Sequence, residues 1–174
     1  KGDSNDDRVL TQFIRAVALP QMQRGEAWHW TIRLLSDSET ILGSISLMLG
    51  EEDNRGFWLA PEHRGHGYMT EACIWANDFW FDTLAQPRLR APKVAANRAS
   101  RRLSERMGMR LAGLDLRDFV SGRLPSEIWE ISAQEWRAWK RLHPAGVVSP
   151  PSSRSHRKTP ATSSKRGSTA RNPL

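Results

Sequence analysis

Apolar and polar residues alternate over three successive stretches in the first third of the chain. In "WHWTIRLL" (28–35) Trp28, Trp30, Ile32 and Leu34 share one face, while His29, Thr31 and Arg33 take the other. "TILGSISLML" (40–49) repeats the pattern through Ile41, Gly43, Ile45, Leu47 and Leu49, and "RGFWLA" follows at 55–60. A period of two predicts strands with one buried face. The short polar stretches between them, "DSE" and "GEEDN", predict turns, so the three strands form an antiparallel meander. Ahead of them Val9, Leu10, Phe13, Ile14 and Val17 recur at helical spacing within 6–18. This predicts an opening helix packed on the sheet, with Asp6 and Asp7 at its positive end.

Pro61 ends the third strand and the period then changes. Met69, Ala72, Cys73, Ala76 and Trp80 recur at three and four between Tyr68 and about Leu84, a second helix. "RLRAPKV" (88–94) reads as a strand and "NRASRRLSERMGM" (97–109) as a loop entering a helix. "MRLAGLDLRDFV" with "SEIWEI" reads as a closing hairpin. "SAQE" (132–135) is a capping box, with Ser132 capping and Glu135 reaching back to start a short helix through Trp136 and Trp139. Strands and helices in this order predict an α/β (α+β) domain. Trp28, Trp30, Trp75, Trp80, Trp136 and Trp139 all fall on apolar faces and are expected in its core.

Charge divides the chain. All 19 acidic residues precede His143, and residues 1–142 hold 20 of the 26 basic ones, so the +7 net charge resides in the tail. That tail, 143–174, is rich in Ser, Pro, Thr and Arg with almost nothing large and apolar, and is read as disordered. It is either passive or a contact for nucleic acid or another polyanion; no aromatic residue is interleaved to stack on bases. The domain is therefore assigned to 1–142. One cysteine, Cys73, excludes an internal disulfide, and no apolar stretch or secretory signal suggests a membrane, which together point to a cytoplasmic compartment. Nothing in the sequence fixes an oligomeric state.

The stretch "PEHRGHGYMTEA" (61–72) places two glycines, two histidines and an arginine at the start of the second helix. Exposed amides at a helix N-terminus, after a strand and a glycine-bearing loop, form an anion cradle. The Walker pattern lacks its lysine and spacing, and G-x-G-x-x-G is not completed. R-x-x-G-x-(G/A) fits through Arg64 and Gly67, with Met69 in place of the last small residue. His63 and His66 lack a cysteine or third ligand nearby, so no metal site is expected.

With "GYMTEA" and "N-x-x-S…MGM" about thirty residues apart, the chain resembles the GNAT acetyltransferases over roughly Trp28 to Trp139. It looks most like the Rim-type branch that acetylates N-termini of ribosomal proteins. The resemblance implies a GNAT fold: a mixed, mostly antiparallel sheet with flanking helices, splayed between "GFWLA" and "RLRAPKV" to admit acetyl-CoA. It implies that the backbone of Arg64, Gly65, His66, Gly67, Tyr68, Met69 and Thr70 holds the pyrophosphate. Trp58, Leu59 and Ala60 would pair with the pantetheine arm, and Asn97 and Ser100 would lie beside the sulfur. The family's first strand is expected to be missing here, and Met69 is expected to tighten or shift the turn.

Acetyl transfer needs a neutral attacking amine, donors for the oxyanion and a proton for the departing thiolate. Many GNAT enzymes use a tyrosine as that acid, yet the only tyrosine, Tyr68, sits at the pyrophosphate loop. Ser100 takes the place by position, as a hydrogen-bond donor to sulfur first and a proton donor second. Its plain reading is a helix-start serine. Glu51 and Glu52 are the candidate bases in the turn before the cofactor strand; a pair of acids in a surface turn is also simply solvated. Arg98, Arg101, Arg102 and Arg106 line one helix, either as a solvated face or as contacts for the 3′-phosphate of coenzyme A or an acidic partner. The expected reaction is transfer from acetyl-CoA to a primary amine, a protein N-terminus ahead of a small amine or antibiotic. The alternative is an inactive binding module whose tail does the work.

Overall fold

A computed structural model describes Arg8, residues 11–119 and residues 122–144. An opening helical segment runs through a π-helical turn, Ile14–Ala18, into α1 (Leu19–Gln23). The meander follows as β1 (Ala27–Ile32), β2 (Gly43–Met48) and β3 (Arg55–Leu59), paired antiparallel in the order β1-β2-β3. Next come α2 (Tyr68–Asp78), extended by a π-helical turn Phe79–Thr83, then β4 (Arg88–Val94) and α3 (Arg98–Arg106). The hairpin β5 (Arg110–Phe119) and β6 (Gly122–Ser132) and the last helix, α4 (Ala133–Leu142), complete the order. The second sheet runs β4-β6-β5, all antiparallel.

The sequence reading of both sheets holds in outline, with differences that have local causes. β1 stops at Ile32 because Asp37 folds the turn back, its carboxylate accepting from the Glu39 and Thr40 amides at 3.1 and 3.2 Å. Leu34 keeps only an isolated bridge to Asp37, and Leu35 stands in solvent. The β6 strand begins at Gly122, four residues before "SEIWEI", because the hairpin ladder continues to the Phe119–Gly122 pair. The capping box at Ser132 and Glu135 is formed.

The core lies between the two sheets and the helices. Leu47, Cys73, Ala76, Trp80, Phe81, Leu89, Met107, Ile131 and Trp136 are buried there. Each buried indole N–H has a partner: Trp80 donates to the Arg88 carbonyl and Trp136 to Asp78, both at 2.9 Å. Two expectations fail. Trp75 packs on Trp30 and Phe79 with ring centroids 5.1 and 5.9 Å away, but is half exposed, since α2 turns that side outward. Phe13, Ile14 and Val17 of the opening helix are also 39–48% exposed, and the helix secures itself instead through buried Ala18 and its junction with β1. Val9, Leu10 and the basic tail from residue 145 onward lie outside the described residues.

Two features position the opening between the sheets. Asn54, just before β3, joins it to β4: its amide donates to the Arg90 carbonyl at 2.8 Å, and its side-chain oxygen accepts from the Arg90 amide at 2.7 Å. Beyond that staple β3 pairs only with β2, and β4 only with β6. The strands therefore part like a V from Asn54 and Arg90. Close approach of β2 and β3 at the other end depends on Gly43, where a Cβ would stand 2.2 Å from the Trp58 carbonyl oxygen and 2.9 Å from Leu59 Cα. Both obstacles are backbone. Gly43→Ala is expected to cost about 2 kcal/mol by forcing the strands apart; urea denaturation checks it, and a loss under about 0.5 kcal/mol would show that β3 shifts freely.

Candidate active site

A cavity of about 490 Å³ opens in the mouth of the V, within the range of small-molecule sites. One wall is the end of β3, with Phe57, Trp58 and Leu59; the roof is the loop and first turn of α2, with Arg64, Gly65 and Gly67 to Thr70; the far wall is Asn97, Ala99, Ser100, Leu103 and Arg106 of α3. The residues after β3 and those after β4 line the same space, so the two strands run in the same direction from the Asn54–Arg90 staple.

The roof is a cradle because its backbone is bent into left-handed conformations. Gly65 and Gly67 both have φ of +87°, and nothing lies within 4 Å of the Cβ either would carry. Gly67 is the N-cap of α2 and offers no side chain to the first-turn amides. Those amides, at the positive end of the helix dipole, face the cavity unsatisfied by any cap. Arg64 donates through Nε to the Leu59 carbonyl at 3.3 Å and braces the end of β3 against the loop. This is the fit expected for a bound pyrophosphate.

Of the residues singled out from sequence, Trp58, Leu59, Arg64, Gly65, Gly67, Tyr68, Met69, Thr70, Asn97 and Ser100 come together around the cavity. Ala60 and His66 do not line it. Ala60 is buried and donates its amide to the Leu42 carbonyl at 2.9 Å, while the His66 ring stacks on Tyr68 at 5.6 Å with Nδ1 3.3 Å from the His63 carbonyl. Met69 is accommodated, half-buried, against the core. Glu51 and Glu52 are exposed and outside the cavity. Glu52 is held by Arg90 at 2.7 Å and Arg117 at 3.2 Å, contacts made across the fold that leave the carboxylate committed.

Ser100 is 7% exposed. Its amide donates to the side chain of Asn97, the N-cap of α3, at 3.1 Å. Asn97 therefore does the capping, and the Ser100 hydroxyl has no hydrogen-bond partner among the described residues. Of the four arginines of α3, Arg106 lines the cavity, whereas Arg98, Arg101 and Arg102 border a separate shallow pocket with Glu105. Arg101 Nε comes within 2.9 Å of Glu127, off the line of a hydrogen bond.

Sequence reasoning passed over the polar cluster beneath the cavity. Arg55, 3% exposed, donates to Asn77 at 2.6 Å and to Met109 sulfur at 3.4 Å, and its Nε has no partner among the described residues. Lys93, 6% exposed, donates to the Ser104 hydroxyl and lies 5.6 Å from the centre of the Trp129 ring. Burial first, then the Arg55 guanidinium, bring Lys93 down to about 7, against the opposite pull of Cys73, Glu127 and Asp53. Desolvation also raises Asp53, against Arg117, the Arg55 amide and Lys93. A signal was present: in "RLRAPKV" the inward series is Leu89, Ala91, Lys93, a lysine on an apolar face.

No match is found among curated proteins. Solved structures share the fold at low identity. Spermidine N-acetyltransferase from Vibrio cholerae, in complex with CoA and spermine, matches with TM-score 0.62 at 16% identity over 71% of this chain and 76% of its own. Ribosomal-protein-S5-alanine acetyltransferase from Vibrio fischeri matches with TM-score 0.59 at 16% identity over 68% of each chain. The microcin C7 self-immunity acetyltransferase, in complex with acetyl-CoA and AMP, gives 0.58 at 20% over 70% and 68%. The family model described as "Acetyltransferase (GNAT) domain" matches residues 2–110. With that model covering most of the chain, the protein belongs to the GNAT acetyltransferases and is an acetyl-CoA-dependent N-acetyltransferase.

Proposed function

We propose that the acceptor is the N-terminal amine of a protein, in keeping with the resemblance to the Rim-type branch and the likeness to a ribosomal-protein acetyltransferase. The observation that carries this is the open shelf around Trp58. The Trp58 indole is 52% exposed at the cavity rim. The strand pairing sets Thr31, Ser44 and Trp58 in one row across the sheet and His29, Ser46 and Gly56 in the next. Hydroxyls and an indole on an open sheet face suit an extended peptide, whose backbone needs donors and acceptors along its length. Burial holds His29 below the usual histidine range, and the shelf's charged group is Arg33, whose Nε donates to the Thr31 hydroxyl at 3.3 Å.

In this reading the pyrophosphate of acetyl-CoA rests on the amides at residues 67–70, Arg64 and Asn97 hold the walls, and the pantetheine arm follows Trp58 and Leu59. The amine arrives from the shelf as the neutral species and attacks the thioester carbonyl beside Ser100. With Glu52 tied to two arginines and Glu51 on the surface, solvent at the open shelf removes the amine's proton. Mass shifts over a panel of peptides with different N-terminal residues, polyamines and aminoglycosides test the assignment. Acetylation of peptide α-amines supports it, and turnover confined to small amines overturns it.

Ser100 lines the cavity, and in this reading its hydroxyl donates to the sulfur as negative charge grows there on C–S cleavage. One such donor in a water-poor site is worth roughly 10²-fold in rate. Ser100→Ala is expected to lower kcat by about that factor and leave acetyl-CoA affinity within about threefold, since the cradle supplies most of the grip. An unchanged kcat, where chemistry limits turnover, would reduce Ser100 to a wall residue and leave water to protonate the thiolate.

A further inference from the structure

Behind the cavity's lining lies a buried amine, Lys93, that the acceptor chemistry does not use. From the staple at Asn54 and Arg90, three residues along each strand lead to Phe57 on β3 and to Lys93 on β4, at the same depth in the V. Both side chains point inward: Phe57 packs against the core and lines the cavity, while Lys93 reaches the Ser104 hydroxyl of α3. Ser104 lies one helical turn beyond Ser100 and next to Leu103, and those two line the cavity. An arm that enters over Gly67 and follows Trp58 and Leu59 therefore directs its thioester toward Ser100, Phe57 and Lys93.

We infer that Lys93 is a self-acetylation site, its side-chain amine accepting the acetyl group of acetyl-CoA held in the cavity of the same chain. The inference rests on the assignment of the cavity to acetyl-CoA. In the transfer the Nζ lone pair attacks the thioester carbonyl carbon, the C–N bond forms and the C–S bond breaks. The proton lost from nitrogen ends on sulfur, giving acetyl-lysine and free coenzyme A.

The surroundings favour the neutral, nucleophilic amine. On β3, Arg55 adds a positive charge with no ion pair among the described residues; on α3, Ser104 accepts the amine's N–H and leaves its lone pair free; on β6, the Trp129 ring lies alongside. The carboxylates that face it, Glu127 on β6 and Asp53 before β3, are not within ion-pair distance of Nζ, and Cys73 on α2 is a buried thiol raised by desolvation. Glu127 is engaged instead by the Trp129 indole N–H at 2.9 Å. Burial and Arg55 together bring the amine to about 7, so about half of it is neutral at pH 7. Acetylation would replace a titrating amine with a bulkier neutral amide behind Ser100 and Leu103, crowding the cavity wall where the next thioester must sit, and so would slow turnover.

The test uses the full chain and acetyl-CoA with no acceptor, followed by peptide mapping. The other lysines, Lys1, Lys140, Lys158 and Lys165, are internal controls. Lys93 is expected to be labelled roughly tenfold faster than Lys158 or Lys165 near pH 7.5, its rate rising with pH up to about 7 and then levelling, whereas lysines with ordinary values near 10.4 keep rising through pH 9. Desulfo-coenzyme A should suppress labelling of Lys93 alone. Arg55→Gln should slow it several-fold at pH 7 and little at pH 9, by removing the like charge. Calorimetry of acetyl-CoA binding on the same sample separates the two ways to fail. Binding without preferential Lys93 labelling overturns this inference alone; absence of binding overturns the cavity assignment and this inference with it.

Discussion

Gly67→Val is expected to weaken acetyl-CoA binding by at least about 10²-fold while leaving the domain folded. At φ +87° a β-branched residue is strained by roughly 1–3 kcal/mol, and the loop escapes that strain by rotating its peptides, which turns the first amides of α2 away from the cavity. No protein atom lies within 4 Å of the position a Cβ would take, so the side chain meets no protein wall; it projects into the space assigned to the pyrophosphate. Hydrogen bonds to a charged acceptor contribute about 1.5–3 kcal/mol each, and losing one or two of them with the added bulk gives the stated factor. The loop is exposed, so urea denaturation should show a stability loss near the strain alone. Calorimetric affinity within about threefold of the parent, with the fold intact, would mean that the phosphates lie elsewhere.

The cradle was legible in the sequence because its chemistry is local. Two glycines, an arginine and a helix start within seven residues dictate backbone geometry without help from distant parts of the chain, whereas the helix-start role read for Ser100 belongs to Asn97, which caps α3. The meander was legible for the same reason, through alternation. What failed depended on partners far along the chain. Glu52 was a candidate base because it lies in the turn before the cofactor strand; the fold brings Arg117, 65 residues later, to its carboxylate. Trp75 was expected on an apolar face like Trp80, yet α2 is covered on one side only, and periodicity does not say how wide a face its neighbours will cover. Lys93 could have been found by following the inward positions of β4, but its depressed basicity comes from burial first and then from Arg55, and only the packing of the fold supplies either.

Stability measurements are expected to show the same dependence on long-range contacts at Asn54. The side chain, 2% exposed, makes three hydrogen bonds: it accepts from the Arg90 amide at 2.7 Å and donates to the carbonyls of Gly50 at 2.7 Å and Met48 at 3.3 Å. Asn54→Ala removes all three and leaves the Arg90 N–H, at the apex of the V, without its acceptor. An unsatisfied buried donor costs about 1–3 kcal/mol, and the loss of the turn's two carbonyl contacts brings the expected destabilisation to about 3 kcal/mol. For a domain of this size that lowers Tm by roughly 6–12 °C. Arg90 also carries ion pairs to Glu52 and Glu130 at 2.7 and 2.9 Å, so a shift of its backbone moves the outer face of β4 as well. The apex sets how far Phe57 and Lys93 stand apart three residues on, and kcat should therefore fall more than acetyl-CoA affinity, because the grip at Gly67 is remote from the staple. Asn54→Asp keeps the acceptor for Arg90 but sets a carboxylate against the Gly50 and Met48 carbonyls, and should destabilise the fold without opening the V as far. Chemical denaturation and steady-state kinetics of both variants decide the point. A stability loss below about 1 kcal/mol in Asn54→Ala would show that packing of α2 and α3 across the sheets, and not this residue, holds the two halves together.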